Sequence, residues 1–530
     1  MFVPRHRAVA VRIALGALTA VALVAAPARA DVGAVAAKEG LGAPPLASNA
    51  CSDATYPDCR RLRFAYGPLT VEPGANQQLL GLNIAKPMYD GYVTRLSANL
   101  YRTDGSVPPV DVVHLHHGAW VSSPSYGNFP VFFATGEEKT HFQLPPGYGM
   151  KVAGSDQWTL SYMLHNLTPV AEHVYVVYDL DYVPAQQAEA QGIAAAKPLW
   201  LDVQSRTYPF YPVFNVQRGF GHFDPKFGRK VCTFPKERCA AFDPFGESQP
   251  ANGVGWDYTV PAEYAGTLVA LGGHLHPGGL EDQVSLVRGG AERRIFNSDA
   301  DYFDPAGPVS WDMAMTVAPP DWRVRVQPGD KLRLNAVYDS QAASWYEDMG
   351  IVMAWIAPGD QTGVDPFAPG ASVQTEGQVT HGHLPENDNH GGVGSRPLPR
   401  RAGAITSRIR IKGFIYRPGD VATIRAIPRV RANRRVTFVN GDSSREIWHT
   451  FTTCRAPCTA STGIAYPLAN AMPAMDSLEL GTTSFPGFQA ASGKRSFSLT
   501  PRKAGLRPGH VYTYFCRIHP FMRGAFKVVR

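Results

Sequence analysis

Near its carboxyl end the sequence reads Tyr514-Phe515-Cys516-Arg517-Ile518-His519-Pro520-Phe521-Met522-Arg523-Gly524. A thiolate, an imidazole and a thioether thus follow a strand-like run on one tight loop. His449 follows a second strand-like run, Arg435-Val436-Thr437-Phe438-Val439-Asn440, where a remote imidazole belongs. A thiolate, two imidazoles and a long axial thioether are the ligands of a blue-copper electron-transfer site. The sequence predicts such a site at His449, Cys516, His519 and Met522.

The spacing within this loop carries a resemblance. The short steps from Cys516 to His519 and from His519 to Met522, with Pro520 and Phe521 between them, resemble the amicyanin-type cupredoxins. The resemblance covers the last quarter of the chain and implies a Greek-key β-sandwich that transfers electrons. The alternative is a buried apolar thiol at Cys516 with Met522 as a core residue.

The remainder of the chain is strand-rich by composition. The chain has 530 residues, of which 44% are hydrophobic and 18% charged, so it is globular and neither disordered nor membrane-embedded. Runs such as Val174-Tyr175-Val176-Val177-Tyr178 recur between turns, and the 51 Gly and 45 Pro favour many short strands. We predict an all-β protein, with two jelly-roll-like β-sandwich subdomains followed by a Greek-key cupredoxin β-sandwich.

The predicted organisation has several parts, in keeping with the usual ~100 to 200 residues per domain. They are 1–30, a signal peptide; 31–60, a flexible leader; 61–203, the first β-sandwich; 204–358, the second β-sandwich; 359–403, a linker rich in Gly, Pro and His; and 404–530, the cupredoxin domain. The linker residues His381, His383 and His390 are either weak metal ligands or solvated loop histidines.

The first thirty residues predict export. Arg5, Arg7 and Arg12 precede an apolar run that ends at residue 26, and Ala28-Arg29-Ala30 offers small residues for cleavage. An uncleaved anchor is the alternative, but the run is shorter than the ~20 apolar residues that a bilayer span requires. We expect a secreted protein, extracellular or in the periplasm or cell envelope, and not an integral membrane protein.

The seven cysteines fit an oxidising compartment. Three pairs lie close together and predict local disulfides: Cys51 with Cys59, Cys232 with Cys239, and Cys454 with Cys458. Cys516 is left over. A leftover cysteine in an exported protein is a liability or a ligand, and the residues around Cys516 favour a ligand.

Charge is unevenly distributed along the chain. Residues 401–530 hold 21 Lys and Arg against 5 Asp and Glu, although the whole chain has a net charge of only +7. Opposite charges favour docking of this basic part on the acidic remainder, which we call the body. The alternative is contact with an anionic cell surface or an acidic partner. Nucleic acid is not an expected partner, because the chain is predicted to be exported and has no recognisable nucleic-acid-binding motif.

Three histidine motifs lie in the body. They are Val113-His114-Leu115-His116-His117-Gly118, Met163-Leu164-His165-Asn166 and Gly273-His274-Leu275-His276-Pro277-Gly278-Gly279. Residues two apart share one face of a strand, so His274 and His276 can bind one ion together. A thioether would favour copper(I) at that site, and Met349 is the candidate. The alternative for each histidine taken alone is a hydrogen-bonded structural role.

The order of a His-His pair, a lone His, a His-x-His and a Met resembles the copper type II, ascorbate-dependent monooxygenases. These are peptidylglycine hydroxylating monooxygenase and dopamine β-monooxygenase. The motifs are also similar to those of the stress-up-regulated nodulin family. The resemblance implies an electron-supplying copper held by His116, His117 and His165, and a catalytic, oxygen-activating copper held by His274, His276 and Met349.

Departures from the hydroxylase pattern exclude the peptide substrate. The hydroxylase has an arginine two residues before its His-x-His and a tyrosine four residues after its ligand Met, where this chain has Gly272 and Met353. Peptidylglycine is therefore not the expected substrate. The hydroxylase also has Met after its His-His pair, whereas Gly118 stands here, and His114 becomes an additional candidate ligand.

The leading hypothesis is an exported copper redox protein with a monooxygenase-like bicopper body and a fused blue-copper domain. Copper is the predicted cofactor, in one blue site and two further mononuclear sites. The expected partners are an external electron donor or acceptor, dioxygen and a small organic substrate. The alternative is a non-enzymatic copper-binding and electron-transfer protein whose body is a binding or interaction module. A third hypothesis is a metal-free body that recognises a partner or a glycan.

Overall fold

The structure is a computed structural model of the chain. It describes residues 50–51, 56–123, 131–203, 213–240, 257–303, 307–308, 311–382, 397–442, 447–454, 475–481, 494–519 and 521–530. The predicted signal peptide lies outside these ranges, as do most of the leader, His383, His390 and Cys458.

The first part of the body is an antiparallel β-sandwich. Its strands are β1 (Arg60–Val71), β2 (Asn76–Ile84), β3 (Gly91–Arg102), β4 (Val113–Ser123), β5 (Val131–Gly136), β6 (Phe142–Gln143), β7 (Tyr148–Val152), β8 (Gln157–Asn166), β9 (Glu172–Pro184) and β10 (Ala194–Asp202). One sheet has the order β2-β8-β4-β5, and β1, β9, β3 and β7 pair in that order in the other. Large aromatic side chains such as Trp120, Phe133 and Tyr178 fill the core between them.

The second part of the body continues from the first through a shared strand. Helix α1 (Ala185–Ala190) precedes β10, which pairs with β7 on one side. The strands after β10 are β11 (Phe214–Val216), β12 (His222–Asp224), β13 (Arg229–Phe234), β14 (Asp257–Thr259), β15 (Gly266–His274), β16 (Gly279–Arg288), β17 (Ala291–Tyr302), β18 (Met313–Val317), β19 (Val324–Val326), β20 (Lys331–Asp339), β21 (Trp345–Asp348) and β22 (Ile351–Pro358). On its other side β10 pairs with β22, which joins the two parts of the body. A 3-10 turn spans Ala262–Tyr264.

Strand β15 lies at the centre of this second part. Every one of its residues is buried, as expected for a strand that is covered on both faces. It pairs with β22 and β19, and the opposite sheet joins β17, β16, β20 and β13. His274 is the last residue of β15, so its position is set by the end of this buried strand.

The predicted linker begins as part of the body. Strand β23 (Gln378–Val379) pairs with β18, and Phe367 and Val373 pack on the second core. Asp365 forms ion pairs with Arg288 and Arg325. Residues 359–382 are therefore fixed on the second sandwich, so a linker that starts at residue 359 is not what the structure shows.

The C-terminal part is a second kind of β-sandwich, with parallel as well as antiparallel pairs. Its strands are β24 (Ala402–Ile405), β25 (Arg408–Ile411), β26 (Tyr416–Arg417), β27 (Ile427–Arg431), β28 (Val436–Asn440), β29 (Thr452–Thr453), β30 (Ser496–Leu499), β31 (Val511–Phe515) and β32 (Arg523–Val529). The sheets β24-β27-β32-β31-β29 and β26-β25-β28-β30 enclose a core that includes Phe438, Tyr514 and Phe526. The all-β prediction with β-sandwich architecture is confirmed.

The C-terminal sandwich packs directly on the body. Phe515 belongs to the same packed cluster as Trp345 of the body. On the opposite side of the contact, a Cβ atom added to Gly74 would lie 2.8 Å from side-chain atoms of both Ile447 and Phe414. The two parts therefore meet at van der Waals distance, and they meet at the residues that precede and flank the predicted blue-copper site.

Two of the predicted disulfides are present. Cys51 is bonded to Cys59, and Cys232 is bonded to Cys239. Cys454 is also disulfide-bonded, and its predicted partner is outside the described residues. These bonds agree with an oxidising compartment. Within the described ranges, no helix has both the length and the apolar character needed to cross a membrane.

Candidate metal centres

The loop between β31 and β32 presents three of the predicted ligands. Cys516 follows β31 directly, and its N–H group donates to the Met522 carbonyl at 3.1 Å. The Met522 N–H group donates to the His519 carbonyl at 2.9 Å, which closes the loop. His449 is fixed from the other side, because its backbone pairs with that of Leu480.

Three ligand atoms of this loop site form a small triangle. The Cys516 Sγ atom lies 3.8 Å from His449 Nδ1 and 3.6 Å from His519 Nδ1, and the two nitrogens are 3.2 Å apart. The centre of such a triangle is about 2 Å from each corner, which is close to a metal–imidazole or metal–thiolate bond length. All three residues are buried. The donor set fits a copper ion of the blue type, with Met522, itself buried, on the same loop.

Neighbouring groups orient these ligands and set their charge. His449 Nε2 donates to Asp442 Oδ2 at 3.2 Å, which leaves the Nδ1 lone pair available to a metal ion held with Cys516 and His519. Burial opposes charge on His449, but the contacts with Asp442 and Cys516 outweigh burial and raise its pKa. Burial would likewise raise the pKa of Cys516, yet His449 and the Thr450 N–H group lower it overall. These contacts therefore make Cys516 easier to deprotonate than an ordinary cysteine.

The histidines of the three body motifs converge on one region. His114, His116 and His117 come from β4, His165 from β8, and His274 from the end of β15, with His276 just beyond it. Ring centroids are 5.0 Å apart for His116 and His117, 5.8 Å for His116 and His165, and 4.3 Å for His116 and His276. All six rings are buried.

Three of these rings are held in one tautomer by their neighbours. His114 Nδ1 donates to the Val110 carbonyl and His276 Nδ1 to the Glu347 carbonyl, each at 2.6 Å. His274 Nδ1 contacts Glu138 Oε2 at 2.9 Å. In each ring Nε2 is buried and accepts no hydrogen bond within the described residues. A metal ion satisfies buried lone pairs of this kind, and the anchored Nδ1–H group is the usual companion of a metal-bound imidazole.

The electrostatics of the body cluster favour neutral rings. Burial lowers the pKa of His114 to about 4. Burial, together with the neighbouring histidines, lowers the pKa values of His116, His165 and His276 well below the usual range. Neutral imidazole is the form that binds metal, so these four rings are already in their ligating state at neutral pH.

Glu138 keeps its charge in spite of burial, unlike the body histidines. Burial would raise its pKa, but the contact with His274 outweighs burial and lowers it. The carboxylate is therefore charged, and it forms an ion pair with His274 whenever that ring is protonated. A carboxylate behind a histidine fixes its orientation and increases its basicity as a ligand.

The structure groups the predicted ligands differently from the family pattern. His276 joins His116 and His117 in one group, and His114 joins His116 and His165 in another. His274 and His276 have ring centroids 5.1 Å apart and perpendicular planes, because His276 lies beyond the end of β15 rather than on it. Met349 is buried and is tied to His276, since the Tyr338 hydroxyl contacts both of their backbone N–H groups.

Trp311 lies among the body histidines. Its ring centroid is 4.7 Å from that of His114, 5.1 Å from His116 and 5.6 Å from His276. Neither this residue nor Glu138 could be identified from sequence, because both are far from the histidine motifs along the chain. Asp442 is different, since it lies seven residues before His449 and a carboxylate so close to a predicted ligand was visible in the sequence.

The two candidate centres touch each other. The ring centroids of His165 in the body and His519 in the C-terminal sandwich are 6.0 Å apart. Arg517, between Cys516 and His519, donates to the Ser344 carbonyl of the body and also contacts Asp476. Side chains from both parts thus form a continuous route from the sulfur-containing site to the histidine cluster.

A cavity of about 60 Å³ opens at this junction. Its lining residues are Asn76, His116, His165, His276, Pro277, Trp311, Trp345 and Glu347 from the body, and Glu479, Arg517 and Ile518 from the C-terminal sandwich. Burial raises the pKa of Glu347 to about 7. Burial also raises the pKa of Glu479, to about 8 in spite of the nearby Arg517. The cavity is therefore small, polar on one side and directly beside three of the candidate ligands.

The linker histidine His381 has a structural role in this region. Its Nε2 atom lies 2.6 Å from the Glu138 carbonyl oxygen, so the ring donates to the backbone that carries the Glu138 carboxylate. His381 is therefore held against the body rather than fully solvated. His383 and His390 lie outside the described residues.

Comparison with known proteins shows no relative at the sequence level: no protein-family model and no curated protein matches the chain. Among solved structures, the chain is similar to a Cu-containing nitrite reductase (NirK) from Thermus scotoductus SA-01, at 15% identity and a TM-score of 0.15, over 50% of this chain and 55% of that one. It is also similar to the capsid of the PBCV-1 virus, at 9% identity and a TM-score of 0.17, over 60% of this chain and 89% of that one. This chain thus spans little more than half of the reductase.

Proposed function

We propose that this chain is an exported copper-dependent oxidoreductase in which the cupredoxin site supplies electrons to a histidine-held copper centre in the body. The observation that carries the proposal is the contact of the His519 and His165 rings, at 6.0 Å between centroids. Electron transfer slows steeply with distance, and here one candidate ligand of each centre is the neighbour of the other. Two of the disulfides support an oxidising destination such as the periplasm or the cell exterior.

The C-terminal residues hold and insulate the relay. His449, Cys516 and His519 would hold one copper ion, with Met522 as the weak axial ligand. Asp442 and the Thr450 N–H group fix the imidazole and the sulfur in place. A buried and rigid ligand set moves little when an electron arrives or leaves, so the exchange is fast.

The body residues prepare the second centre. The Val110 and Glu347 carbonyls and the Glu138 carboxylate aim three imidazoles by their Nε2 atoms. Copper bound there supplies one-electron chemistry toward dioxygen. The cavity beside His116, His165 and His276 offers space for small molecules next to three candidate ligands.

The reaction we assign is monooxygenation of a small organic substrate, because the order of the motifs resembles the copper monooxygenases. One atom of dioxygen enters a substrate C–H bond as a hydroxyl group, and the other leaves as water. The balance requires two electrons and two protons. An external donor would supply the electrons one at a time through the cupredoxin site, and the protons come from solvent.

Dioxygen-dependent reoxidation of the blue site tests the proposal without knowledge of the substrate. The protein is reduced with ascorbate and mixed with oxygenated buffer while the thiolate-to-copper absorption band is followed. His165→Gln should leave the band intact and slow its return at least tenfold, whereas His173→Gln, at an exposed position, should have no effect. Equal rates in both variants would contradict the relay.

Cys516→Ser separates the enzyme from the non-enzymatic alternative. The variant should lose the absorption band, and substrate-dependent oxygen uptake should fall with it. A wild-type protein that binds one blue copper and consumes no oxygen would instead be an electron carrier, with the body as a binding module.

A further inference from the structure

The body histidines form two triads that share one residue. His114, His116 and His165 are one triad, and His116, His117 and His276 are the other. Within each triad, one ligand atom per residue lies within 4.8 Å of the others. His116 therefore belongs to both, which the family pattern of two separate ligand sets does not contain.

His116 is a direct neighbour of the other four members. Its ring centroid is 5.9 Å from that of His114 and 5.8 Å from that of His165. It is 5.0 Å from His117 and 4.3 Å from His276.

The number of imidazoles exceeds what one ion can bind. A copper or zinc ion in an all-histidine site takes three or four imidazole ligands. Six buried rings meet here, and in the described structure the His114, His165, His274 and His276 rings each retain a buried Nε2 atom without a hydrogen bond. Burying a polar atom without a partner is unfavourable, so a single ion would leave several of these nitrogens unsatisfied.

We infer that His116 bridges two metal ions, one bound with His114 and His165 and the other with His117 and His276. This inference rests on the proposed function in that both ions are taken to be copper. Bridging uses both ring nitrogens, so the single ring proton of neutral His116 leaves to solvent when the second ion binds, and no electron moves in that step. His274, adjacent to His276, is placed to complete the second ligand set.

A bridging His116 would lie on the path of the electrons that come from the C-terminal site. The first triad contains His165, the residue in contact with His519, and the second contains His276, which is tied through Tyr338 to Met349. Electrons that enter through His165 would thus reach both ions through one imidazole ring. Two electrons are then available at one point beside the cavity, as the reduction of dioxygen requires.

Metal analysis and electron paramagnetic resonance (EPR) of the oxidised wild-type protein test the bridge. Two Cu(II) ions joined by an imidazolate couple their spins, so a chain that binds three copper ions should show a signal from only about one third of them, the blue site. Three copper ions that are all visible would overturn the bridge, and so would two visible ions, one blue and one in the body. Both of these outcomes leave the proposed function standing, whereas one blue copper alone would end both.

Chemical rescue tests the identity of the bridging residue. His116→Gly should lose the coupling while the blue absorption band shows that the chain is folded. Added imidazole, with two ring nitrogens, should restore the coupling and the EPR silence of the body. Added 1-methylimidazole, with one nitrogen blocked, should not. Restoration by both compounds, or coupling that persists without rescue, would overturn the assignment of His116.

Discussion

The two candidate centres are built by opposite means. In the C-terminal sandwich, Cys516, His519 and Met522 come from one hairpin loop, and only His449 is remote. In the body, every histidine motif lies on a different strand or strand end. The two imidazoles of the loop site differ from each other, since partners raise the pKa of His449 while burial lowers that of His519, whereas burial lowers the pKa values of His116, His165 and His276 in the body alike.

The two centres depend on different structural features for their assembly. The loop site is assembled by local chain geometry and by an anionic partner, Asp442. The body site is assembled by the packing of whole sheets, and its rings are aimed by carbonyls and by Glu138. Each centre should therefore fail through different residues, and damage to one should spare the other.

Removal of one ligand from each centre should give the largest effect. His449→Ala should abolish the thiolate-to-copper band and leave the body copper in place. His276→Ala should retain the full band and reduce the body copper by at least one ion per chain. Visible absorption combined with metal analysis distinguishes the two variants. If either substitution emptied both centres, their structural independence would be wrong.

Loss of the carboxylate behind His274 should have an intermediate effect. Glu138→Gln keeps the size of the side chain but removes its charge, and loss of such a partner weakens metal binding by about 10- to 100-fold. Competition with a chelator measures the copper affinity of the body. Glu137→Gln is the matched control, because burial raises the pKa of Glu137 well above its usual value and glutamine resembles the protonated acid. Equal losses in both variants would remove Glu138 from the site.

A single methyl group added at the interface between the two parts should give the smallest effect, a slower reoxidation of the blue site. Gly74 and Gly147 both have positive φ angles, so alanine at either costs about 1 to 2 kcal/mol of unfolding free energy. Only Gly74→Ala also meets Ile447 and Phe414, since nothing lies within 4 Å of a Cβ atom at Gly147. We expect slower reoxidation of the blue site in Gly74→Ala alone. Identical kinetics in the two variants would argue against a functional contact.

Much of the fold was predictable from sequence because its signals are local. Alternating runs and turn residues predicted the strands, and the spacing of the cysteines predicted two disulfides that the structure contains. The ligand loop was recognisable for the same reason, as three of its residues lie within seven positions. The predicted linker was less successful, because the ion pairs of Asp365 that fix residues 359–382 join residues far apart along the chain.

The structure brings the predicted body histidines together, but in a grouping that the sequence did not suggest. The rule that alternate residues share a strand face placed His274 and His276 together, but β15 ends at His274 and the rings turn perpendicular. Glu138 lies 136 positions from His274, and only the tertiary fold brings them together. Motif order identifies candidate ligands, whereas the pairing of strands decides which of them can reach the same ion.

The cavity at the junction has walls from both parts of the molecule. Arg517 and Ile518 form one side of it and His276 and Trp311 another. A compound too bulky for this space would therefore have to displace side chains from both parts to reach the histidines. Turnover of such compounds would slow in viscous solvents such as concentrated sucrose, while the consumption of dioxygen alone would be nearly indifferent to viscosity.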